Sequence, residues 1–283
     1  MDKNTNEELQ AFIEKAIAGD KKSLEHVIAG VQDLVFNLSL RMLGTFPDAE
    51  DAAQDILLKV ITHLSSFRNE SSFATWVFRI AVNHLKSYKK HMFAQVPFSF
   101  EFYGNDIEHA DIHNVPDLTQ DVEKSILAEE LKMSCTNVML QCLDAESRCI
   151  FVLGTMFKVD SRIAGEILGI TSEAYRQKLS RTRKKMADFL SAYCGEYGSG
   201  TCRCKDRVNY AIQSHRIQPA HLDYAQAVES DTVKAAGVMQ AMEEIDDLSH
   251  HFLFLKTYQS PEKLKKFVQE FLDSALAGTI SAS

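Results

Sequence analysis

Residues 73–91, FATWVFRIAVNHLKSYKKH, place the chain's single tryptophan among further aromatics, an asparagine and several cations. Aromatic faces can stack unpaired nucleic-acid bases, and cations beside them can hold phosphate. On a 3.6-residue wheel Phe73, Trp76, Val77, Ile80, Ala81 and Leu85 fall on one side, and Arg79, Asn83, Lys86 and Lys90 on another. The spacing predicts a helix with an apolar back and a polar, cationic front. In the preceding loop, Phe67, Asn69, Ser71 and Ser72 offer a ring, an amide and hydroxyls to an unstacked base. A second cationic group, Arg176, Gln177, Lys178, Ser180, Arg181, Arg183 and Lys184, faces outward on a predicted helix that Ser172 opens. A third group is made of thiols: Cys194, Cys202 and Cys204 lie in a Gly-rich break, with His215 and His221 downstream. A Cys3His site for zinc or another thiophilic metal, through Cys194, Cys202, Cys204 and His215, is one reading of them. A redox or copper-sensing switch, with Arg203, Lys205 and Arg207 lowering the thiol pKa, is a second, and incidental thiols a third. Cys135, Cys142 and Cys149 read as small buried thiols.

The elements that must position these groups are helical. Glycine and proline number only 12 and 5 in 283 residues, and apolar residues recur at three- and four-residue spacing, which favours an all-α chain. Leu9, Phe12 and Ile13, then Val27, Val31, Leu34 and Leu38, mark two helices. Asp48 reads as the cap of a third, whose buried stripe is Ala52, Ile56 and Val60. Residues 93–116 keep no period and read as an acidic flexible linker. Ser161–Leu168, Gly169-Ile170 and Ser172–Leu190 have the proportions of a helix-turn-helix, with Gly where positive φ is convenient. Ile163, Ala164, Ile167, Leu168, Ile170, Leu179 and Met186 would pack inward. In such a unit the early residues of the second helix, here Arg176 and Gln177, read base edges, while Arg181, Arg183 and Lys184 hold phosphate. Helical patterning returns at about 219–255 and 261–274.

The net charge of −8 hides an uneven distribution. Residues 101–131 carry −8, and 132–190 carry +4, so a basic block adjoins an acidic one. No apolar run approaches the roughly 20 residues that span a bilayer, and the first residues form no signal peptide, so a cytoplasmic protein is expected. No nucleotide-binding Gly loop or nucleophile and base constellation stands out, so an enzyme is not expected.

DAEDAAQDILLKV at 48–60, FRNESSFATWVFRIAVNHLKSYKKH at 67–91 and LGITSEAYRQKLSRTRKKMADFL at 168–190 together resemble RNA polymerase sigma factors of the extracytoplasmic-function type. The resemblance covers about residues 7–190. It implies a region 2-like domain at 1–92, the acidic linker at 93–116, a region 4-like helix-turn-helix domain at 117–193, and a Cys-containing helical extension at 194–283. It further implies that 48–60 docks on core polymerase through Asp48, Asp51, Gln54 and Asp55, with the clamp and flap of the large subunits as partners. The 67–90 segment would read and open the −10 element as single strands, and the helix-turn-helix would bind the −35 element as duplex. The family's second helix more often begins with small or β-branched residues than with Ala174-Tyr175. An anti-sigma factor, or inhibition by the extension acting as a lid over the basic helix, is the implied regulation; a purely stabilising tail remains the alternative. A stand-alone helix-turn-helix regulator, or a metal or thiol sensor that binds DNA without polymerase, is the rival reading.

Overall fold

The computed structural model describes residues 3–92, 99–225 and 257–273, with side chains from 7–88 within the first segment. Among the described residues the secondary structure is helical, with two isolated β-bridges and no strand. The first four helices, α1 (Lys3–Ile17), α2 (Lys21–Leu43), α3 (Phe46–Thr62) and α4 (Phe73–Met92), gather around α2. Asp20 starts α2 by accepting from the Ser23 amide, and Gly44, at φ 92°, ends it in the left-handed region. Only one residue, Thr45, then separates that turn from α3. Its hydroxyl accepts from the Asp48 amide at 3.3 Å. The cap of α3 is therefore Thr45 rather than Asp48, which sits in the first turn, where a carboxylate suits the positive helix end.

The second group comprises α5 (Phe100–His109), α6 (Lys124–Gln141), α7 (Ala145–Phe151), α8 (Ser161–Leu168) and α9 (Ser172–Tyr193). The segment expected to be an aperiodic tether thus contains a helix. Ser99 caps α5 by accepting from the Phe102 amide at 3.0 Å, and Phe100 and Tyr103 lie against Phe189 of α9 with ring centroids 5.0 and 5.6 Å apart. These contacts are tertiary, so they leave no period in the local sequence.

The two groups share one core. Arg148, 1% exposed, donates from Nε to the Leu140 carbonyl at 2.6 Å, from Nη1 to Met42 at 2.8 Å, and from Nη2 to Gln141 and Leu143 at 3.2 and 2.7 Å. One guanidinium therefore satisfies carbonyls at the ends of α2 and α6 together. Between α4 and the helix-turn-helix, Phe78 meets Phe157 edge-on at 5.5 Å, and Arg79 pairs with Glu166 at 3.1 Å.

The extension touches both groups. Val208, Ala211, Ile217 and Leu222 form a small second core with Leu127, Ala128 and Leu131 of α6, built partly from α10 (Val208–Gln213). The last described helix, α11 (Glu262–Asp273), buries Leu264, Val268 and Leu272, one turn apart, against α2 and α3. Each such side chain contributes about 1.5–3 kcal/mol of gross burial. α11 thus lies on α2 and α3 of the first bundle; residues 226–256 and 274–283 of the expected lid over the basic helix lie outside the described residues. The helical pattern read at 219–255 falls largely outside the described residues; its start, 219–225, is a turn.

Candidate nucleic-acid interface

α4 forms because its apolar residues repeat at helical spacing, and Ser72 starts it, its Oγ accepting from the Thr75 amide at 3.1 Å. Its back is buried as expected, with Val77, Ala81 and Leu85 at 1% exposure or less. Trp76 and Ile80 are only half-buried, and they form the apolar wall of a surface cavity of about 340 Å³. Its polar lining comes from Lys59, His63, Ser66, Asn83, His84 and Ser87. This size lies at the low end of small-molecule pockets, about 300–1,000 Å³. A flat apolar wall facing an amide and a cation suits an extruded base and its phosphate.

Phe67 and Phe73 do not line this cavity. Both are buried, and their rings pack 5.6 and 5.7 Å from Trp76. The expectation that they meet a base directly is corrected: their apolar rings fill the core beneath Trp76 and fix its orientation. Asn69, at φ 56°, makes the loop's bend and is exposed with Ser72, while Ser71 is half-buried. Asn83 is exposed at the cavity, Lys86 is half-buried, and the Lys90 side chain lies outside the described residues. Arg79 is engaged by Glu166.

The sequence did not single out Lys59, His63 or His84. Lys59 and His84 meet across α3 and α4, with Nζ and Nδ1 2.6 Å apart. Burial, then Lys59, hold the His84 pKa below its usual value, against the pull of Asp55. A neutral ring accepting at Nδ1 carries its proton on Nε2, 3.6 Å from the Asp55 carboxylate. The His84 ring thereby holds Lys59 at the cavity rim. Of the other acidic-face residues, Asp51 is exposed and Asp48 and Gln54 are half-buried, so α3 presents an open polar ridge.

The helix-turn-helix takes the form its sequence predicts. Asp160 caps α8, Thr171 caps α9, and Gly169 turns between them at φ 72°. The turn packs so closely on α8 that a Cβ at Gly165 would stand 2.7 Å from the Ile170 carbonyl oxygen. Tyr175 is 1% exposed and donates to the Ile150 carbonyl at 3.1 Å, so the unusual aromatic is a core anchor. Arg176, Gln177, Ser180, Arg181 and Lys184 are exposed along one open face, and Ser172 is half-buried at its start. Two assignments change. Arg183 turns inward, donating to Thr155 Oγ1 at 3.1 Å and the Gly154 carbonyl at 3.3 Å, and Lys178 pairs with Glu146 at 2.5 Å. Both sit on the side of α9 that faces α7 and its following turn, where those acceptors are available.

The thiols converge differently from expectation. Cys202 and Cys204 line a small cavity with Cys135 of α6, and backbone pairing sets Cys194 beside Cys202. Tyr103 donates to Cys135 Sγ at 2.9 Å. His215 is exposed at the turn after α10, while its neighbour Arg216 lines the cavity, so the set Cys194, Cys202, Cys204 and His215 is not assembled. Among the described residues no three His, Cys, Asp or Glu are arranged to hold a metal. Burial pushes the Cys135 and Cys204 thiols up to about 12 and raises Cys202 against the opposing pull of Arg207, so the expected thiolate activation is reversed.

Comparison with known proteins agrees with this geometry. The sequence model of Sigma-70 region 2 matches residues 27–91, the span that holds the Trp76 cavity. The chain is 32% identical over 84 residues to the RNA polymerase sigma-H factor of Pseudomonas aeruginosa, covering 30% of this chain and 44% of that protein. It is 31% identical over 123 residues to the ECF RNA polymerase sigma-E factor of Haemophilus influenzae, covering 44% and 64%. To the ECF RNA polymerase sigma factor SigW of Bacillus subtilis it is 25% identical over 179 residues, covering 62% and 92%. The chain thus spans less than two thirds of the first two relatives. Among solved structures, CnrH in complex with the cytosolic domain of CnrY aligns at 19% identity and a TM-score of 0.47, covering 64% of this chain and 95% of that one. No described helix is long and apolar enough to cross a membrane. Residues 27–91 thus match sigma-70 region 2, and over parts of its length the chain is similar to RNA polymerase sigma factors of the extracytoplasmic-function type.

Proposed function

We propose that this chain is a promoter-specificity subunit acting in the cytoplasm: it docks on core RNA polymerase, reads −10 and −35 elements and promotes melting, with no covalent chemistry of its own. One observation carries the reading. A base-sized cavity walled by Trp76, inside the segment that matches sigma-70 region 2, shares a chain with a helix-turn-helix whose cationic face is open. The α3 ridge of Asp48, Asp51, Gln54 and Asp55 is the polymerase-docking surface in this proposal. Trp76, Ile80, Asn83 and Lys59 hold the unpaired strand, and Arg176, Gln177, Ser180, Arg181 and Lys184 hold the duplex. Regulation by an anti-sigma protein, and a thiophilic metal or redox role for the extension's thiols, belong to the same proposal; metal analysis of the purified chain reads the latter.

Run-off transcription with core polymerase, the full-length chain and a promoter library tests it. Selective initiation at a common pair of elements is the expected result. Failure to bind polymerase, with DNA binding retained, would support a stand-alone regulator instead. On a promoter so found, Arg176→Ala will weaken −35 binding by about 1–3 kcal/mol, roughly five- to 150-fold, and relax the preference at one base position. A uniform loss across all sequences would return Arg176 to phosphate contact.

A further inference from the structure

A second cavity, of about 400 Å³, lies in the seam between α3 and the extension and shares no lining residue with the Trp76 cavity. Its walls come from the first turns of α3, from residues 221–223 and from residues 259–265. Two stretches of the extension are each tied to a helix, and this shapes the space. On α6, Glu130, 4% exposed, accepts from the Tyr224 amide at 3.0 Å and the Ala225 amide at 2.8 Å, which fixes the chain that follows residues 221–223. On α2, Asn37 exchanges two bonds with the Tyr258 backbone, at 2.7 and 2.9 Å, and Asp33 accepts from the Ser260 amide at 2.8 Å. Phe46 meets both stretches, with its ring centroid 5.2 Å from Tyr224 and 5.9 Å from Tyr258. The space left among these fixed parts is the cavity.

The lining divides by chemistry. Phe46, Pro47, Leu222 and Pro261 give an apolar wall that includes one aromatic ring. Glu50, Asp223 and Glu262 bring three carboxylates against Lys265, so with His221 neutral the lining carries a charge of −2. Two of the carboxylates are drawn inward: the Glu50 side chain is 16% exposed and that of Asp223 36%, whereas Glu262 stands at the rim, 90% exposed and paired to Lys265 at 2.8 Å. The partners of the inner two reach in from solvent. Lys263 approaches Glu50 at 3.5 Å from a 70% exposed position, and His221, 73% exposed, stands 3.1 Å from Asp223. Ion pairs made by exposed side chains contribute little. Burial raises the Asp223 pKa against the pull of His221, so this carboxyl is short of positive charge. An anion would meet like charge here, and a neutral apolar ligand would strip water from Glu50 and Asp223 without replacing it. A cation on an apolar body satisfies both walls, because its charge answers the carboxylates and its body, like its charge, is attracted to the face of an aromatic ring.

We propose that this cavity binds a small organic amine, its ammonium group held by Glu50 and Asp223 and its apolar body laid against Phe46, Pro47, Leu222 and Pro261. Binding needs neither polymerase nor DNA, so its failure would leave the promoter reading standing. Phenethylamine, which joins an ammonium group to one phenyl ring, is the probe, titrated calorimetrically into the full-length chain. Three analogues are titrated beside it: 2-phenylethanol lacks the charge, 3-phenylpropionate inverts it, and ethylamine lacks the ring. Phenethylamine will bind with a dissociation constant below about 1 mM and will raise the melting temperature as its concentration rises. Each analogue will bind at least about tenfold more weakly, since it forfeits either the charge-assisted bonds or the apolar contact. Glu50→Gln and Asp223→Asn keep side-chain shape and remove charge, and each will weaken phenethylamine about tenfold. Glu270→Gln, two turns further along α11 with its carboxylate 67% exposed, will leave the affinity unchanged. The analogue series uses wild type alone, so it decides the matter even where a variant fails to fold by circular dichroism. Absence of phenethylamine binding would overturn the site, as would equal affinity for 2-phenylethanol, or wild-type affinity in both folded carboxylate variants.

Discussion

Replacing Arg148 with methionine will lower the melting temperature by about 6–12 °C. Methionine fills similar space but leaves the carbonyls of Met42, Leu140, Gln141 and Leu143 without their shared donor. Hydrogen bonds to a charged group contribute about 1.5–3 kcal/mol each, and buried acceptors left unsatisfied cost about 1–3 kcal/mol. With partial rearrangement, a net loss of about 3 kcal/mol is expected, and chains of this size shift about 2–4 °C per kcal/mol. Burial pulls the Arg148 pKa down to about 10, so the guanidinium stays charged at neutral pH and its strong bonds persist. Arg148→Lys will recover part of the loss, since one ammonium cannot reach four carbonyls in the planar fork's geometry. Calorimetry on the three chains decides it: equal melting temperatures would mean that the carbonyls find water and that Arg148 does not join the helix ends.

Trp76→Ala will reduce open-complex formation about ten- to 100-fold at unchanged association with core polymerase. Stacking on an aromatic ring contributes about 1–3 kcal/mol per base, and the alanine variant removes the larger part of the cavity's apolar wall. Trp76→Phe keeps a stacking face and will retain most of the activity. Permanganate reactivity of unpaired thymines reads melting directly. Trp76 also packs on Phe67 and Phe73, so some stability is lost with it. A loss of melting that merely follows unfolding, with Trp76→Phe as impaired as Trp76→Ala, would make the tryptophan a core residue only.

The helix-turn-helix was legible to the residue at three of its four helix ends because its signals are local: a cap, a left-handed glycine and an apolar repeat. What was not legible depends on partners distant in sequence. Arg183 reads as an outward cation until Thr155, 28 positions earlier, is brought beneath it. Phe67 and Phe73 read as a pocket wall, and only the packed cluster shows that Trp76 alone of the three stays accessible. His84 carried no signal at all; its role comes from Lys59, 25 positions away on another helix. The α5 helix and the seat of α11 were hidden for the same reason, since the faces they cover belong to other elements, although the period of α11 itself is read at 261–274. The thiol nest shows the intermediate case: three of its cysteines are close in sequence, but Cys135 joins from α6.

The bond between Asn37 and the backbone of Tyr258 joins positions 221 residues apart. A ribosome adding about 5–20 residues per second delivers the second roughly 10–45 seconds after the first. Through that interval the newborn N-terminal bundle keeps Asn37 and Asp33 in water and the seam side of Phe46 uncovered. The first bundle is therefore synthesised well before the segment that covers this side of α2, and that side stays open until residues 258–260 arrive.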